Sequence, residues 1–441
     1  MSPKVAWRRI GGCAGLVAGA LLVMVAVAPP EGLSQRRFDL RDFARPLTVP
    51  FPPDNPATAA QIALGAALFT DPRLSRDGTT ACATCHDPAL GFTDGASRGK
   101  GLAGVTLKRN TPTLWNLAWG DSFFWDGRAS SLEEQARGPI EHPLEMSMKL
   151  ADAVSALRAD PMIQEAFRGA FGAEGITEGN ILNALAAFER TLVSPKTRFD
   201  RWVEGDEQAL TPAEIKGFEL FRGRAGCSTC HGTWRFTDEA FHDIGLPEGA
   251  DRGRGETVGQ PRMNNAFKTP TLRELVWTAP YMHDGSMATL DAVNDHYFGG
   301  IENRTTISKD LPIFTPVFTS ERLQLTAFLK TLSSDTPPQP MPIAPAVQER
   351  EAAAFVEVSH VSERNRRFLP AAVRIRKGRP LTIRNDDERI HSLSVDDPRL
   401  TFSTDAQEPG TSVVLTFPET GTYTVASSIH PRMRLSVEVF E

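Results

Sequence analysis

The sequence predicts a mainly α chain, with two small helical domains in tandem followed by a small all-β sandwich. Three observations carry that reading. Cys82-Ala83-Thr84-Cys85-His86 recurs as Cys227-Ser228-Thr229-Cys230-His231. A block that follows the first copy recurs after the second at a constant offset. Beyond a proline-rich stretch, Ser333 to Val347, the apolar residues change from helical spacing to alternation.

The paired cysteines set the cofactor chemistry. Two thiols separated by two residues, with histidine next, mark a c-type haem attachment site. Each thiol adds to one haem vinyl group, and His86 or His231 is then held under the iron as proximal ligand. A zinc knuckle gives no reason for histidine to follow at once in both copies. A thiol redox pair needs no histidine. The helical domains therefore read as two c-type cytochrome domains, each with one covalently bound haem c. Five cysteines occur; four belong to these motifs and Cys13 lies in the leader, so no pair remains for a structural disulfide.

The 441 residues suggest two to four domains, and 41% hydrophobic content is enough for ordinary globular cores. A formal charge of −6 disfavours nucleic acid as a partner. Residues 1–36 read as a leader and lead-in. Lys4, Arg8 and Arg9 precede an unbroken small and apolar run from Gly11 to Ala28, a signal peptide or an uncleaved membrane anchor. Either form exports the rest to the periplasm, where c-type haem is attached.

Residues 37–203 form the first cytochrome domain. Ala57 to Phe69 is helical, with Ile62, Ala66 and Phe69 on one face and Leu64 and Leu68 in a second row. Asp87 to Lys108 is glycine-rich and reads as loop. Leu132 to Arg137, Ala151 to Leu157 and Ile181 to Leu192 read as helices, and the polar Arg198 to Ala209 as a link. Residues 204–335 form the second domain, opened by a helix from Pro212 to Phe221 and closed by one from Glu321 to Leu332. Residues 336–350 are a Pro-rich linker. In 351–441, Val373, Ile375, Leu381, Ile383, Leu393, Val395, Val413, Leu415, Tyr423 and Val425 alternate with other residues between turns.

The repeat is specific. Asn110-Thr111-Pro112-Thr113-Leu114 recurs as Lys268-Thr269-Pro270-Thr271-Leu272, and Trp125-Asp126-Gly127-Arg128 as His283-Asp284-Gly285-Ser286. Thr111 to Thr269, Trp125 to His283 and Leu132 to Leu290 each span 158 positions. The haem motifs lie 145 apart, Cys82 to Cys227, so the loop between haem and repeat is longer in the second domain.

With both haem motifs, Phe124-Trp125-Asp126-Gly127-Arg128-Ala129 and Pro280-Tyr281-Met282-His283-Asp284-Gly285, the stretch from Ala57 to Leu332 resembles the bacterial di-haem cytochrome c peroxidase family, which includes the MauG-type enzymes. The resemblance implies an enzyme in which one haem meets peroxide and the other passes electrons. It implies that Trp125 stands between the haems, that Glu145 is the distal carboxylate of the peroxide haem, and that Gln135 and Pro139 are its neighbours. It also implies a calcium ion held by Asn110 and the carbonyls of Thr278 and Pro280, an oxygen-donor set that suits calcium. Tyr297 stands where many family peroxidases have methionine and where MauG-type members have tyrosine; His296, Met282 and Met287 are rival ligands. Tyrosinate is a hard anion that stabilises ferric iron, whereas methionine favours the ferrous form.

Two features predict that the first haem has an open face. No histidine occurs between His86 and His142, so the loop that supplies a sixth ligand in many relatives offers none. The repeat partner of Tyr297 is Pro139, which has no side-chain donor atom.

Residues from about Ala352 resemble cupredoxins, carried by Asn385 to His391, Gly421-Thr422-Tyr423 and His430-Pro431-Arg432-Met433. Ser427 stands where blue-copper proteins commonly have cysteine, so the thiolate copper site cannot form. The preferred reading is a metal-free docking module, with His391, His430 and Met433 as the alternative copper set. Overall the sequence reads as a periplasmic peroxidase that takes electrons from a small cytochrome c or cupredoxin. The alternatives are MauG-like oxidation of protein side chains at long range and a non-catalytic di-haem electron-transfer module.

Overall fold

In the computed structural model, which describes residues 40–311, 316–339, 356–364, 367–386, 391–404, 407–426 and 433–441, each haem motif sits against its own crossed pair of helices. Helix Ala59–Phe69 starts at a capping box between Thr58 and Gln61 and buries Leu64, Gly65, Leu68 and Phe69. The buried row is thus the Leu64–Leu68 one, not Ile62 and Ala66. Gly65 is the reason: a Cβ there would overlap the Ala184 carbonyl and the Phe188 side chain of helix Glu178–Glu189. The second domain repeats the device. Helix Pro212–Arg222, capped by Thr211 and Glu214, crosses helix Thr319–Lys330 at Gly217, against Gln324 and Phe328. Ala184 to Gln324 and Phe188 to Phe328 are both 140 positions.

The proposed link from Arg198 to Ala209 is instead part of the second core. Arg198–Val203 is helical, and Phe199 and Trp202 are fully buried among Phe43, Phe218, Phe236 and Phe328. The polar residues that gave the segment its look of a linker are paired inward. Asp200 meets Arg273 at 2.8 Å and Arg45 at 3.3 Å, and Arg198 meets Glu214 at 2.6 Å. Phe43, Phe199 and Trp202 therefore pack with the second domain, although they precede the boundary at 203. Helix Pro161–Phe171, capped by Asp160, was not expected from the sequence, and helix Leu132–Glu141 runs on through Pro139.

The two domains meet by a twofold rule. Asn110 N–H donates to the His283 carbonyl at 2.8 Å, and Lys268 N–H donates to the Trp125 carbonyl at 2.8 Å. Asn110 pairs with Lys268 in the repeat, and Trp125 with His283, so one contact is made twice in opposite directions, as in an isologous dimer. Each repeat block is also tied to its own closing helix. Asn116 N–H reaches the Leu192 carbonyl at 2.8 Å and Glu274 N–H the Leu332 carbonyl at 3.0 Å.

At the C-terminal end a four-stranded sheet faces a six-stranded one. The strands of the first, in order, are Ser412–Thr416, Pro380–Asn385, His360–Arg364 and Arg367–Leu369; Val356–Glu357, Ala372–Arg376, Arg434–Phe440, Gly421–Ala426, Ser394–Asp397 and Leu400–Ser403 form the second. Of the alternating residues, Val373, Ile375, Leu381, Ile383, Leu393, Val395, Leu415, Tyr423 and Val425 are buried between the sheets, and Val413 is half-buried. Tyr423 Oη donates to the Glu419 carbonyl at 2.9 Å, which satisfies its one polar atom in this core. The leader, most of the linker, Ser427 and His430 lie outside the described residues. Among the described residues no helix is long and apolar enough to cross a membrane.

Asp200 gives a stability test. Burial opposes its charge, but Arg273 and Arg45 outweigh that and hold the carboxyl below its usual range. Asp200→Ala would leave two buried guanidinium groups uncompensated, and urea unfolding should show a loss of about 3–5 kcal/mol at neutral pH. The contribution of Asp200 is present above the ordinary carboxylate pKa and is lost as pH falls through its depressed folded value. Wild type and variant should therefore converge in acid.

Candidate functional site

Both motifs open on one cavity of about 1080 Å³, lined from the two domains together. That is a little above the range of ordinary small-molecule sites, about 300–1,000 Å³. Cys82, Cys85 and His86 line one part, and Cys227, Cys230 and His231 the other. All four cysteines are free thiols.

The histidines are fixed alike. His86 Nδ1 lies 2.9 Å from the Phe92 carbonyl, and His231 Nδ1 lies 2.6 Å from the Phe236 carbonyl. A carbonyl only accepts, so Nδ1 carries the proton in each ring and Nε2 is left with its lone pair. Burial pushes both imidazoles toward the neutral form, against the carbonyl bonds. Phe92 and Phe236 both hold left-handed backbone, φ 60° and 56°, an uncommon state for a bulky residue. The shared Thr-Pro-Thr-Leu block braces these loops. Thr113 Oγ1 donates to the Gly91 carbonyl at 2.6 Å, and Thr271 Oγ1 to the Arg235 carbonyl at 2.7 Å. A neutral, back-bonded histidine beside two thiols in a deep cavity fits a c-type haem in both places. Orphaned buried atoms in the wall, Gln135 Oε1 among them, fit a ligand-filled site too.

The structure brings the remaining expected residues to the same cavity. Gln135 and Pro139, on helix Leu132–Glu141, and Glu145, in the turn after it, all line it. Glu145 Oε1 is 3.4 Å from His142 Nδ1, with 28% of its side chain exposed. Burial pushes the Glu145 carboxyl up; His142 and Arg128 pull it down without cancelling the rise. Trp125 Nε1–H donates to the Asn110 carbonyl at 3.0 Å, and its ring lies 6.5 Å from that of His283. Asn110, Thr278 and Pro280 also line the cavity. Asn110 Nδ2 donates to the Ala96 carbonyl at 2.9 Å, so Oδ1 is the amide atom left for a cation.

Tyr297 lies in the turn His296–Gly300 that follows helix Leu290–Asp295. It lines the cavity. Burial pushes the phenol up, and the Cys230 and Cys227 sulfurs add to this. His296 turns away: its Nε2 is 2.9 Å from the Ile244 carbonyl, and neither it nor Met287 lines the cavity. Met282 does line it. Among the wall residues that escaped the sequence reading is a buried acid. Glu189, at the end of helix Glu178–Glu189, is a buried carboxyl in this cavity. In the β-sandwich, His391 and Met433 are both buried, Met433 within the apolar core.

A sequence model described as di-haem cytochrome c peroxidase matches residues 59–208. The chain is 48% identical over 335 residues to the methylamine utilization protein MauG of Methylorubrum extorquens, an alignment that covers 75% of this chain and 94% of that one. It is 37% identical over 295 residues to the cytochrome c551 peroxidase of Nitrosomonas europaea, covering 66% and 85%. Among solved structures, a MauG-like protein associated with microbial copper homeostasis superposes with a TM-score of 0.62 at 32% identity, over 68% of this chain and 96% of that one. The diheme peroxidase BthA of Burkholderia thailandensis shares the fold, with a TM-score of 0.55 at 23% identity over 63% and 87%.

If the four thiols serve the two sites independently, Cys227→Ser with Cys230→Ser should halve the covalent haem per chain. Intact mass and pyridine haemochrome absorbance check this.

Proposed function

The chain belongs to the di-haem cytochrome c peroxidase family, oxidoreductases that act on peroxide with two haem c groups, and we propose that its two haems divide the work. The haem at Cys82, Cys85 and His86 is the peroxide site, and the haem at Cys227, Cys230 and His231 passes electrons to it. The observation that carries this reading is the asymmetry across the repeat: Pro139 lines the first part of the cavity where Tyr297 lines the second.

When bound, the first haem supplies an open coordination site and the electrons that break the O–O bond. The chain supplies the rest. His86 Nε2 is presented by the bond from Nδ1–H to the Phe92 carbonyl. Pro139 has no side-chain donor atom to offer an iron, and the Gln135 amide would orient the peroxide. Glu145, its carboxyl raised by burial, moves a proton from the near oxygen to the far one. Trp125 would stand between the haems, and its N–H bond to the Asn110 carbonyl fixes the ring for electron passage. Asn110 Oδ1 and the Thr278 and Pro280 carbonyls would hold calcium beside it. Tyr297 would ligate the iron of the second haem, with Met282 as its remaining rival. The enzyme works in the periplasm, where a small cytochrome c or cupredoxin supplies electrons. MauG-like oxidation of a protein substrate is the second reading, favoured by 48% identity along 94% of a MauG.

Spectra before and after stoichiometric peroxide test the assignment. The oxidised enzyme should give one high-spin and one low-spin ferric EPR signal and react at once. Glu145→Gln should keep both haems and slow that reaction by about 10²–10⁴-fold. Two low-spin signals, with no reaction until one electron is added, would overturn the open first haem. Tyr297→Phe should change the spectrum of the second haem alone; an unchanged spectrum would transfer the ligand role to Met282.

A further inference from the structure

Glu189 is a buried carboxyl that this division of labour does not use. It is 5% exposed, lines the cavity and lies close enough to Cys82 to raise that thiol electrostatically. Its Oε2 is buried without a hydrogen-bond partner. The adjacent cation is committed elsewhere: Arg190 Nη1 and Nη2 bond Glu133 Oε1 and Oε2 at 2.7 and 3.0 Å. Burial therefore pushes Glu189 up to about 8, with Arg190 opposing and Glu133 adding.

The repeat shows that packing alone does not call for this residue. Ala187-Phe188-Glu189-Arg190-Thr191-Leu192 aligns with Ala327-Phe328-Leu329-Lys330-Thr331-Leu332, the same spacing of 140 that relates the two helix crossings. Glu189 corresponds to Leu329, which is buried and lines the same cavity from the second domain. An apolar side chain serves there, whereas a carboxyl must be paired or neutral to be buried without penalty. The acid stands on the side where Pro139 replaces Tyr297.

We infer that Glu189 is the proton-coupling group of the first haem, taking up one proton when that haem gains an electron. The electron comes from the second haem and the proton from water; only the Glu189 O–H bond forms, and it breaks again on reoxidation. The cause is charge. Reduction removes one positive charge from the iron, so a nearby unpaired carboxylate binds its proton more tightly. The groups facing Glu189 do not substitute for it. Arg190 and Glu133 neutralise one another, helix Ala59–Phe69 has no charged residue, and Cys82 is a thioether once haem is attached.

The inference rests on haem attachment at Cys82 and Cys85, which the haem-to-chain ratio checks separately. Spectroelectrochemical titration of the holoenzyme across a pH window centred near 8 tests it. In wild type the first haem's potential should fall as pH rises through that window. In Glu189→Leu and Glu189→Gln the slope there should vanish while the second haem's is unchanged; a merely structural role would shift the potential at every pH and keep the slope. Should Glu189→Leu fail to fold, the near-isosteric Glu189→Gln gives the same readout. Glu145→Gln should retain the slope. A wild-type slope in either folded Glu189 variant, or its loss in Glu145→Gln alone, would overturn the inference.

Discussion

Two backbone hydrogen bonds, from Asn110 to His283 and from Lys268 to Trp125, hold the halves of the cavity in register. Each costs nothing in side-chain freedom, because both partners are main chain, and each is protected between domains. Around them the interface is dense with aromatic contact. Trp119 of the first domain meets Trp234 of the second edge-on at 4.8 Å, and Trp125 of the first meets His283 of the second edge-on at 6.5 Å. Arg109 spans the same seam, bonded to Asp126 at 2.7 Å on one side and Asp251 at 2.7 Å on the other. If the register slipped, the Trp125 carbonyl would lose the Lys268 N–H, and the Trp125 ring its edge contact with His283.

Duplication makes the departures from symmetry legible. What each haem needs equally is repeated: the crossing at Gly65 and Gly217, the back-bonded histidines, the threonine braces. What differs is charge and donor atoms. Pro139 faces Tyr297 across the repeat, and Glu189 faces Leu329. Under the histidine-bonding phenylalanines, Trp115 meets Phe92 edge-on at 4.9 Å, whereas Arg273 lies 5.2 Å from the Phe236 ring. The second core therefore carries a buried guanidinium, balanced by Asp200, where the first has an indole. Identical frames with different electrostatics are what two irons with different tasks require, since charge and ligand identity are the levers on a haem potential.

The sequence alone determined the haem motifs, the duplication, the closing helices and the alternation of the β-sandwich, because each is written in local spacing. It also nominated Glu145, Trp125, Gln135 and Tyr297, which all reach one cavity. It misread Arg198 to Ala209, since Asp200 and Arg198 look like surface charge until Arg273, Arg45 and Glu214 are brought beside them. It could not choose among Tyr297, His296 and the methionines by spacing. Only the tertiary structure turned His296 onto the Ile244 carbonyl and left Tyr297 in the cavity wall. Glu189 was hidden for the same reason. A lone glutamate at a helix end reads as solvated, and its burial depends on the crossing at Gly65 and on Arg190 being taken by Glu133. Local pattern fixes which elements form; the ionisation and partners of a buried group are set by residues distant in the chain, and those only the fold assembles.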